Sequence, residues 1–446
     1  MKKGDFVSRI SFLDRLIYSW MHSYPLCCIW GVLELSGPPD NELLIKSAGL
    51  VIEAVPALNS RMDNGVLSKK WIYCGDFNPA ALVSRLEAED SRDAETLLNR
   101  ILKNPIPVDD PPLFRVVSIN SPEKNFLVLQ VHHYVMDGKG AKTMFALFAD
   151  TYRNLSADPG YRPERLNSDR SWMQFIKHVN PVKRLLAPLF NMKEFAGFIY
   201  FFLTYKKYVN VITGDRKSAP RSNEPADPCF AALYINDREL DLIRGENIKK
   251  GVKLNDRIMA ALMVTLKKWN DPEGRKYSGV NSCYTADIRR WWGEPEGTFS
   301  NMSIVRMLSI PSGCLDNMED ALACVKRKMD RAKREFGLAE LWYMVLMGIN
   351  PVFFSEVVCR FLKKFILRIN VLTNIGIIED NAGNFGKIRA LKYSLIAPPF
   401  AAPNILFTAT GYRNSLTINC NFEPSYMSRH TCERLIERFR KNLLTR

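Results

Sequence analysis

The 446-residue chain lacks the cysteine and histidine spacings that mark a zinc site or a disulfide framework. Its ten cysteines are scattered, and no CxxC or HExxH motif occurs. The close pair, Cys27 and Cys28, is adjacent in sequence, which does not suit two ligands of one zinc ion. We therefore expect no metal site and no disulfide framework, with reduced thiols as in a cytoplasmic protein.

Long apolar runs are also missing, since none approaches the roughly 18 to 20 residues that span a bilayer. The N-terminus begins with positive charge, but Asp5, Asp14 and Arg15 interrupt the apolar core that a secretory signal needs. Two shorter runs with nearby basic residues, 195–203 and 361–369, are typical of segments at a membrane interface. We favour a helix buried between lobes or over a substrate channel, and we keep a cytoplasmic protein with peripheral membrane contact as the alternative.

Acidic residues are in the minority. The chain has 62 lysines and arginines against 47 aspartates and glutamates, a net charge of +15. This excess favours an anionic partner, such as a phosphate-bearing cofactor, an acidic carrier protein or an anionic membrane face. No nucleic-acid motif is present, so we expect no nucleic-acid partner. A basic surface without any partner is the plain alternative.

One stretch, residues 126–148, has the pattern of a catalytic centre. An apolar run predicts a buried strand, and helical spacing of apolar residues follows it. Between them lie His132 and His133, then Asp137 and Gly138, a glycine that permits a sharp turn. A histidine at a strand end, held by a loop that opens into a helix, presents an imidazole base rigidly.

Apolar periodicity and turn residues predict strands alternating with helices along the whole chain. The predicted strands are 27–35, 113–119, 126–132, 280–284, 303–310, 405–410 and 416–422. The predicted helices are 8–22, 41–54 (capped by Asp40), 93–102, one from 237, one from 254, 317–336 and a last one capped by Ser428. We divide the chain into an N-terminal lobe (1–155), a basic, proline-rich crossover with an apolar helix (156–226) and a C-terminal lobe (227–446).

The segment His132–Gly138 reads HHYVMDG, and its HHxxxDG spacing resembles the signature of the chloramphenicol-acetyltransferase-like superfamily. That group includes condensation domains, alcohol acetyltransferases, polyketide-associated acyltransferases and wax ester synthases. Further segments resemble the family in the same order along the chain: PALNSR (56–61), PLFR (112–115), NDRIMA (255–260), DIR (287–289) and TNIG (373–376). The DFGWG motif of the plant branch and the Pro-Gly of the wax ester synthases are absent, so the subfamily stays open.

The resemblance implies an α/β (α+β) fold of two lobes, each a mixed sheet with helices, with an active-site tunnel between them. It implies an acyltransferase that moves an acyl group from a thioester to a hydroxyl acceptor, small or lipid-like, without an acyl-enzyme. Acyl-CoA or an acyl carrier protein would be the co-substrate, with no tightly bound cofactor. We expect a stand-alone enzyme, because no adenylation or carrier domain is recognisable. An amide-forming condensation enzyme and a catalytically silent scaffold are the alternatives.

The resemblance also assigns roles to the motif residues. His133 would be the general base, with His132 orienting the loop or packing as an ordinary core histidine. Asp137 would pair with Arg289 and brace the loop, although a second catalytic acid is the rival interpretation. Gly138 would make the turn and leave room for the acyl donor.

The donor that stabilises the tetrahedral oxyanion is left unassigned. Ser300, Asn301 and a backbone N–H near Gly138 are the candidates, and Asn374 is a further candidate for substrate binding. The remaining histidines, His22, His178 and His430, are interpreted as surface or packing residues.

Overall fold

The computed structural model describes residues 1–11, 14, 17, 27–64, 69–166, 170, 181–182, 196–197, 199–201, 203–216, 229–273, 276–289, 299–335, 368–398 and 403–445. Predictions for most of residues 8–22, for 361–367, and for His22 and His178 lie outside this part of the chain. Of the run at 195–203, the described residues are helical, with Phe201 buried and Ile199, Tyr200 and Leu203 exposed.

Helices and strands alternate as the periodicity predicted. The helices are α1 (Asn41–Ala54), α2 (Ser91–Leu102), α3 (Gly138–Ala157), α4 (Asp237–Lys250), α5 (Leu254–Asn270), α6 (Met318–Glu335) and α7 (Arg429–Leu444). The strands are β1 (Phe6–Arg9), β2 (Cys28–Leu35), β3 (Ser60–Asn64), β4 (Lys69–Tyr73), β5 (Val83–Glu87), β6 (Phe114–Asn120), β7 (Asn125–His132), β8 (Tyr208–Val209), β9 (Cys229–Ile235), β10 (Gly279–Asp287), β11 (Ser303–Pro311), β12 (Val371–Ile378), β13 (Asn384–Phe385), β14 (Ile388–Ile396), β15 (Leu406–Tyr412) and β16 (Ser415–Phe422).

The first large sheet has six strands in the order β13-β14-β2-β7-β6-β5. The predicted hairpin of β6 and β7 is antiparallel, with Phe114 opposite Val131. Helices α1 and α3 pack against each other beside this sheet. The histidine strand β7 thus lies in the middle of the sheet, where side chains on both faces are buried. A short third sheet, β1-β4-β3, flanks the lobe.

The second large sheet has the order β11-β10-β12-β15-β16-β9, with the short strand β8 beside β10. Helix α5 contacts both α6 and α7 beside it. The alternating residues of β16 that the sequence predicted to share a face, Leu416, Ile418, Cys420 and Phe422, are all buried in this core. The two-lobed mixed α/β fold is confirmed.

Helix capping follows the predicted signals. Asp40 accepts a hydrogen bond from the Leu43 N–H at the start of α1, and Ser428 accepts one from Thr431 at the start of α7. Gly251 ends α4 in the left-handed conformation (φ 59°), which suits glycine.

The sheets do not divide at residue 227 as the predicted boundary implied. β13 and β14 come from the C-terminal part of the chain, yet β14 pairs with β2, with Ile396 opposite Trp30. The crossover segment in turn gives β8 to the second sheet. We placed the predicted lobe boundaries where the amino-acid composition changes. Composition does not show which sheet a strand joins.

The expectation of reduced thiols throughout is wrong at one place. Cys314 and Cys324 form a disulfide, with Cα atoms 6.4 Å apart. Cys314 lies in a 3₁₀ turn that leads into α6, and this turn folds the chain back so that Cys314 meets the helix. The ten-residue spacing of these cysteines does not by itself predict that they are close, because their proximity depends on the turn.

Among the described residues, no helix combines the length and apolarity needed to cross a bilayer.

Candidate active site

The backbone around His132 and His133 is fixed by both neighbouring segments. The His132 N–H donates to the Leu113 carbonyl (3.0 Å), and the His133 N–H donates to the Cys27 carbonyl (2.8 Å). These bonds extend the pairing of β7 with β6 and β2 just beyond the strand. The two histidines therefore stand on a rigid support at the end of a central strand.

Asp137 follows as the N-cap of α3. Its Oδ1 accepts from the Gly140 N–H at 2.9 Å, which satisfies one of the free donors of the first helical turn. Its Oδ2 accepts from the Met302 N–H (2.8 Å) and the Ser303 hydroxyl (2.9 Å), both in the second lobe. The buried carboxylate therefore joins the loop to the opposite lobe.

The predicted pair of Asp137 and Arg289 is present. Arg289 Nη1 lies 3.0 Å from Asp137 Oδ2, and Nη2 lies 3.2 Å from Oδ1, a bidentate arrangement. Arg289 also bonds Asp287 (3.1 Å) and the Ser300 carbonyl (2.6 Å). Burial alone would raise the Asp137 pKa, but the Arg289 charge and the backbone donors hold it below its usual range.

These contacts bear on the two interpretations of Asp137. The two carboxylate oxygens together accept five hydrogen bonds, from Gly140, Met302, Ser303 and, twice, Arg289. A carboxylate with a depressed pKa is ionised near neutral pH and is poorly suited to donate a proton. The geometry therefore favours a brace between lobes over a second catalytic acid.

The imidazoles of His132 and His133 are both driven toward the neutral form. Burial, with a smaller contribution from His133, lowers the pKa of His132 to about 3. Burial also lowers the pKa of His133, against the opposing influence of its own backbone carbonyl, the Asp137 charge and the Asn301 side chain. His133 is only half-buried, whereas His132 lies in the interior against Tyr134. A neutral, partly accessible imidazole is the form that a general base requires.

Gly138 packs closely against the second lobe. It is the first residue of α3, and its φ is not in the left-handed region. A Cβ at this position would lie 2.6 Å from Ile375 Cδ1 on β12. The glycine therefore permits close packing between the lobes, since a larger residue would require the end of the Ile375 side chain to move. The turn does not depend on it, because its φ is ordinary for any residue.

Asn374, proposed from the sequence for substrate binding, lies in strand β12 where the sequence predicted a loop. Its Oδ1 accepts from the Gly376 N–H (2.9 Å), and its Nδ2 donates to Asn255 Oδ1 (3.1 Å) at the start of α5. Gly376 has φ 80°, and the pairing with β15 shifts register here. The amide thus holds a bulge in the strand that carries Ile375 toward Gly138.

The two side chains proposed as oxyanion donors, Ser300 and Asn301, differ in whether an N–H or O–H group is unused. Asn301 uses its Nδ2 toward the Tyr134 carbonyl (2.8 Å) and Asp14 Oδ1 (3.1 Å), so no amide hydrogen is free. The Ser300 hydroxyl is buried and has no hydrogen-bond partner. Of the two side chains, Ser300 alone retains a donor.

A second buried ion pair, missed by the sequence analysis, lies behind the loop. Arg170 binds Asp14 through two bonds, Nη2 to Oδ1 at 2.6 Å and Nε to Oδ2 at 2.9 Å. Both side chains are almost fully buried. The partners are 156 residues apart and belong to no recognised motif, so no sequence signal pointed to them.

The thiols of Cys27 and Cys28, which lie near the histidines, are unreactive. Burial raises the pKa of Cys28 to about 12, and it raises that of Cys27 further. Both remain protonated at neutral pH, where a thiol is a poor nucleophile. Among the described residues, no group of histidine, cysteine or acidic side chains could hold a metal ion.

Comparisons with known proteins agree with the fold. Residues 25–182 match the family described as Condensation domain. Surfactin synthase subunit 2 of Bacillus subtilis (strain 168) is 21% identical over 421 residues, which cover 91% of this chain and 11% of that protein. This chain thus spans about a ninth of the length of its curated relative.

Two solved structures share the fold over nearly the whole chain. The first condensation domain of the calcium-dependent antibiotic synthetase, in complex with a substrate analogue, has a TM-score of 0.72 at 14% identity, covering 98% of this chain and 95% of that one. The trichothecene 15-O-acetyltransferase from Fusarium sporotrichioides has a TM-score of 0.71 at 9% identity, with the same coverages.

The chain is thus similar to condensation domains in fold over nearly its whole length, and it matches their family in sequence over residues 25–182.

Proposed function

We propose that this protein transfers an acyl group from acyl-CoA to a hydroxyl group, with His133 as general base. The observation that carries the proposal is the half-buried, neutral imidazole of His133, placed where the Asp137–Arg289 pair joins the two lobes. A general base acts on the attacking hydroxyl directly, so this mechanism needs no acyl-enzyme.

In this mechanism, the imidazole of His133 takes the proton of the acceptor hydroxyl while its oxygen attacks the thioester carbonyl. The resulting tetrahedral carbon carries an oxyanion, which then collapses and breaks the C–S bond. The leaving thiolate takes the proton from the imidazolium, so that an ester and a free thiol are released. His133 returns to its neutral form.

The Ser300 hydroxyl is the side chain that we propose for oxyanion stabilisation. It is buried beside Arg289, which binds the Ser300 backbone carbonyl, and its donor is not used internally. Removing one such donor in other enzymes costs about 10²–10³ in kcat. Ser300→Ala should therefore lower kcat by roughly that factor and leave KM for the acceptor nearly unchanged, as steady-state kinetics would show.

The donor and the acceptor are proposed from charge and apolarity. The net charge of +15 suits the phosphates of CoA, and the exposed side chains of Ile199, Tyr200 and Leu203 suit a hydrophobic alcohol or lipid-like acceptor. An acidic carrier protein would suit the same charge, with an amine as acceptor. That amide-forming reaction is the second candidate, supported by the curated relative, a synthase subunit.

The test is thiol release from thioesters by the purified protein. Acyl-CoAs of increasing chain length, and the same acyl groups on a carrier protein, are offered with hydrophobic alcohols and with amines. We expect release with acyl-CoA and an alcohol, and a loss of about 10² or more in His133→Ala. His430→Ala, a change of the same kind at an exposed helix position, should retain full activity.

The outcomes separate the candidates. Release from the carrier protein alone, with amide as product, favours the condensation reaction. No His133-dependent release from any donor leaves the catalytically silent scaffold. Flotation with anionic vesicles at low and high salt tests peripheral membrane contact, and a protein that stays with the soluble fraction at both salts has none.

A further inference from the structure

The two cysteines of the disulfide in the second lobe have different surroundings. Cys314 lies in the turn before α6 and is partly exposed. Cys324 lies within α6, where only 7% of it is exposed. A thiolate can attack only a sulfur that it can reach, so exposure favours attack at Cys314.

The surroundings of Cys324 are positively charged. Arg327 follows it by one helical turn, and its Nη2 donates to Cys324 Sγ at 3.4 Å. Lys328 and Arg331 lie on the same stretch of α6. Burial, together with the charges of Arg327 and Arg331, lowers the pKa of Lys328, which shows that these cations lie close to one another. A cation beside a sulfur stabilises the thiolate form.

The surroundings of Cys314 are acidic. Asp316 is two residues further along the chain, and Glu319 and Asp320 occupy the first turn of α6. Nearby negative charge disfavours a thiolate at Cys314. Cys324 is therefore the better leaving group of the two, since the more stable thiolate leaves faster.

We propose that Cys314 and Cys324 form an exchangeable disulfide, in which a small thiol such as glutathione attacks Cys314 and Cys324 leaves as a thiolate beside Arg327. The attacking thiolate gives its electron pair to Cys314 Sγ, and a new S–S bond forms there. The electron pair of the old S–S bond moves to Cys324 Sγ. A second thiol then attacks the mixed disulfide and releases oxidised glutathione and the Cys314 thiolate. Oxidised glutathione reverses both steps.

Other contacts hold the turn when the disulfide is broken. Lys267 Nζ donates to the Ser312 carbonyl at 3.0 Å and pairs with Asp316 at 2.5 Å. Leu315, between the cysteine and that aspartate, is buried in the second core. We therefore expect the reduced protein to stay folded, so that the exchange is reversible. The inference does not depend on the proposed function.

The first test locates the site of attack in the wild-type protein. Protein oxidised with oxidised glutathione is treated briefly with reduced glutathione, and free thiols are then alkylated. Tandem mass spectrometry of the peptide that contains both cysteines should show glutathione on Cys314 and the alkyl group on Cys324. Glutathione mainly on Cys324 overturns the inference, and so does the absence of a Cys314–Cys324 bond in the oxidised protein.

The second test measures the rate of reduction by glutathione. Arg327→Gln should slow it about two- to fivefold, because the leaving thiolate loses its cation. Arg327→Lys keeps the charge and should recover most of the rate. Arg334→Gln is the matched control, since it removes the same charge from an exposed position at the end of α6 and should react at the wild-type rate. Equal rates for Arg327→Gln and Arg334→Gln contradict the role of Arg327.

The third test examines reversibility. The disulfide closes a segment of ten residues, and opening it increases the freedom of the unfolded chain. Reduced wild type and the double variant Cys314→Ser/Cys324→Ser should therefore share a lower urea midpoint than the oxidised protein, with an unchanged circular dichroism spectrum before unfolding. Oxidised glutathione should restore the midpoint of the wild type alone. A reduced protein that unfolds, or a midpoint that is not restored, contradicts the exchange.

Discussion

At the scale of single residues, the site depends on two buried ion pairs that meet at the histidine loop from opposite sides. Asp137–Arg289 fixes the end of the loop that leads into α3, and Asp14–Arg170 fixes Asn301 behind it. Removing one partner of a buried pair leaves the other charge uncompensated, which costs far more than the pair itself contributes.

Arg289→Met should therefore destabilise the protein by about 3–5 kcal/mol, the usual cost of breaking a buried pair. Arg413→Met provides the control, since Arg413 pairs with Asp380 at the surface (2.7 Å), where a pair contributes about 1 kcal/mol or less. Urea unfolding of both variants measures the difference. Equal losses would mean that the inter-lobe pair contributes no more than a surface contact.

His132 gives a prediction for acid stability. Its pKa is about 3 in the folded protein, below its usual value, so between pH 6.5 and 3 the unfolded chain binds a proton that the folded protein does not. This contribution to stability is fully present above pH 6.5 and is lost as the pH falls toward 3. His132→Gln should show a smaller loss in the urea midpoint over that window. An identical pH profile would show that His132 does not titrate as described.

At the scale of elements, the start of α3 is fitted to the bulge in β12. A Cβ at Gly138 would meet Ile375 Cδ1, and the bulge at Asn374 and Gly376 places Ile375 next to the glycine. The position of the histidine loop is thus determined partly by a strand of the other lobe.

Gly138→Ala should cost about 1–3 kcal/mol, because an added methyl group is forced against a packed side chain. Ile375→Val removes the Cδ1 atom that the new methyl group meets, so the double variant should recover most of the loss. Thermal unfolding and activity of the four proteins of this cycle provide the measurement. Additive losses would mean that Gly138 is needed for another reason.

At the scale of the whole molecule, neither sheet is complete without the other part of the chain. β14 covers the edge of β2, and without it a central apolar strand would become an exposed edge. A fragment of residues 1–226 should therefore aggregate or unfold without a cooperative transition by circular dichroism. A soluble fragment with a sharp transition would show that the first lobe folds by itself.

The sequence predicted the elements well because their causes are local. Alternating apolar residues, Asp40 and Ser428 as caps and Gly251 as a terminator act within a few residues. It predicted the Asp137–Arg289 contact through the resemblance, not through local chemistry. Three features depend on contacts between distant segments, which the periodicity of a sequence does not reveal. They are the Asp14–Arg170 pair, the place of β13 and β14 in the first sheet, and the packing of Gly138.

Asp137 has two structural roles, and together they oppose separation of the two lobes. The same carboxylate caps α3 and grips Arg289, Met302 and Ser303 in the opposite lobe. Separating the lobes at this contact would remove Arg289 from the Asp137 carboxylate. Each of these two buried charges would then be without its partner. We therefore expect the two lobes to stay together at this contact while a ligand binds or leaves near His133.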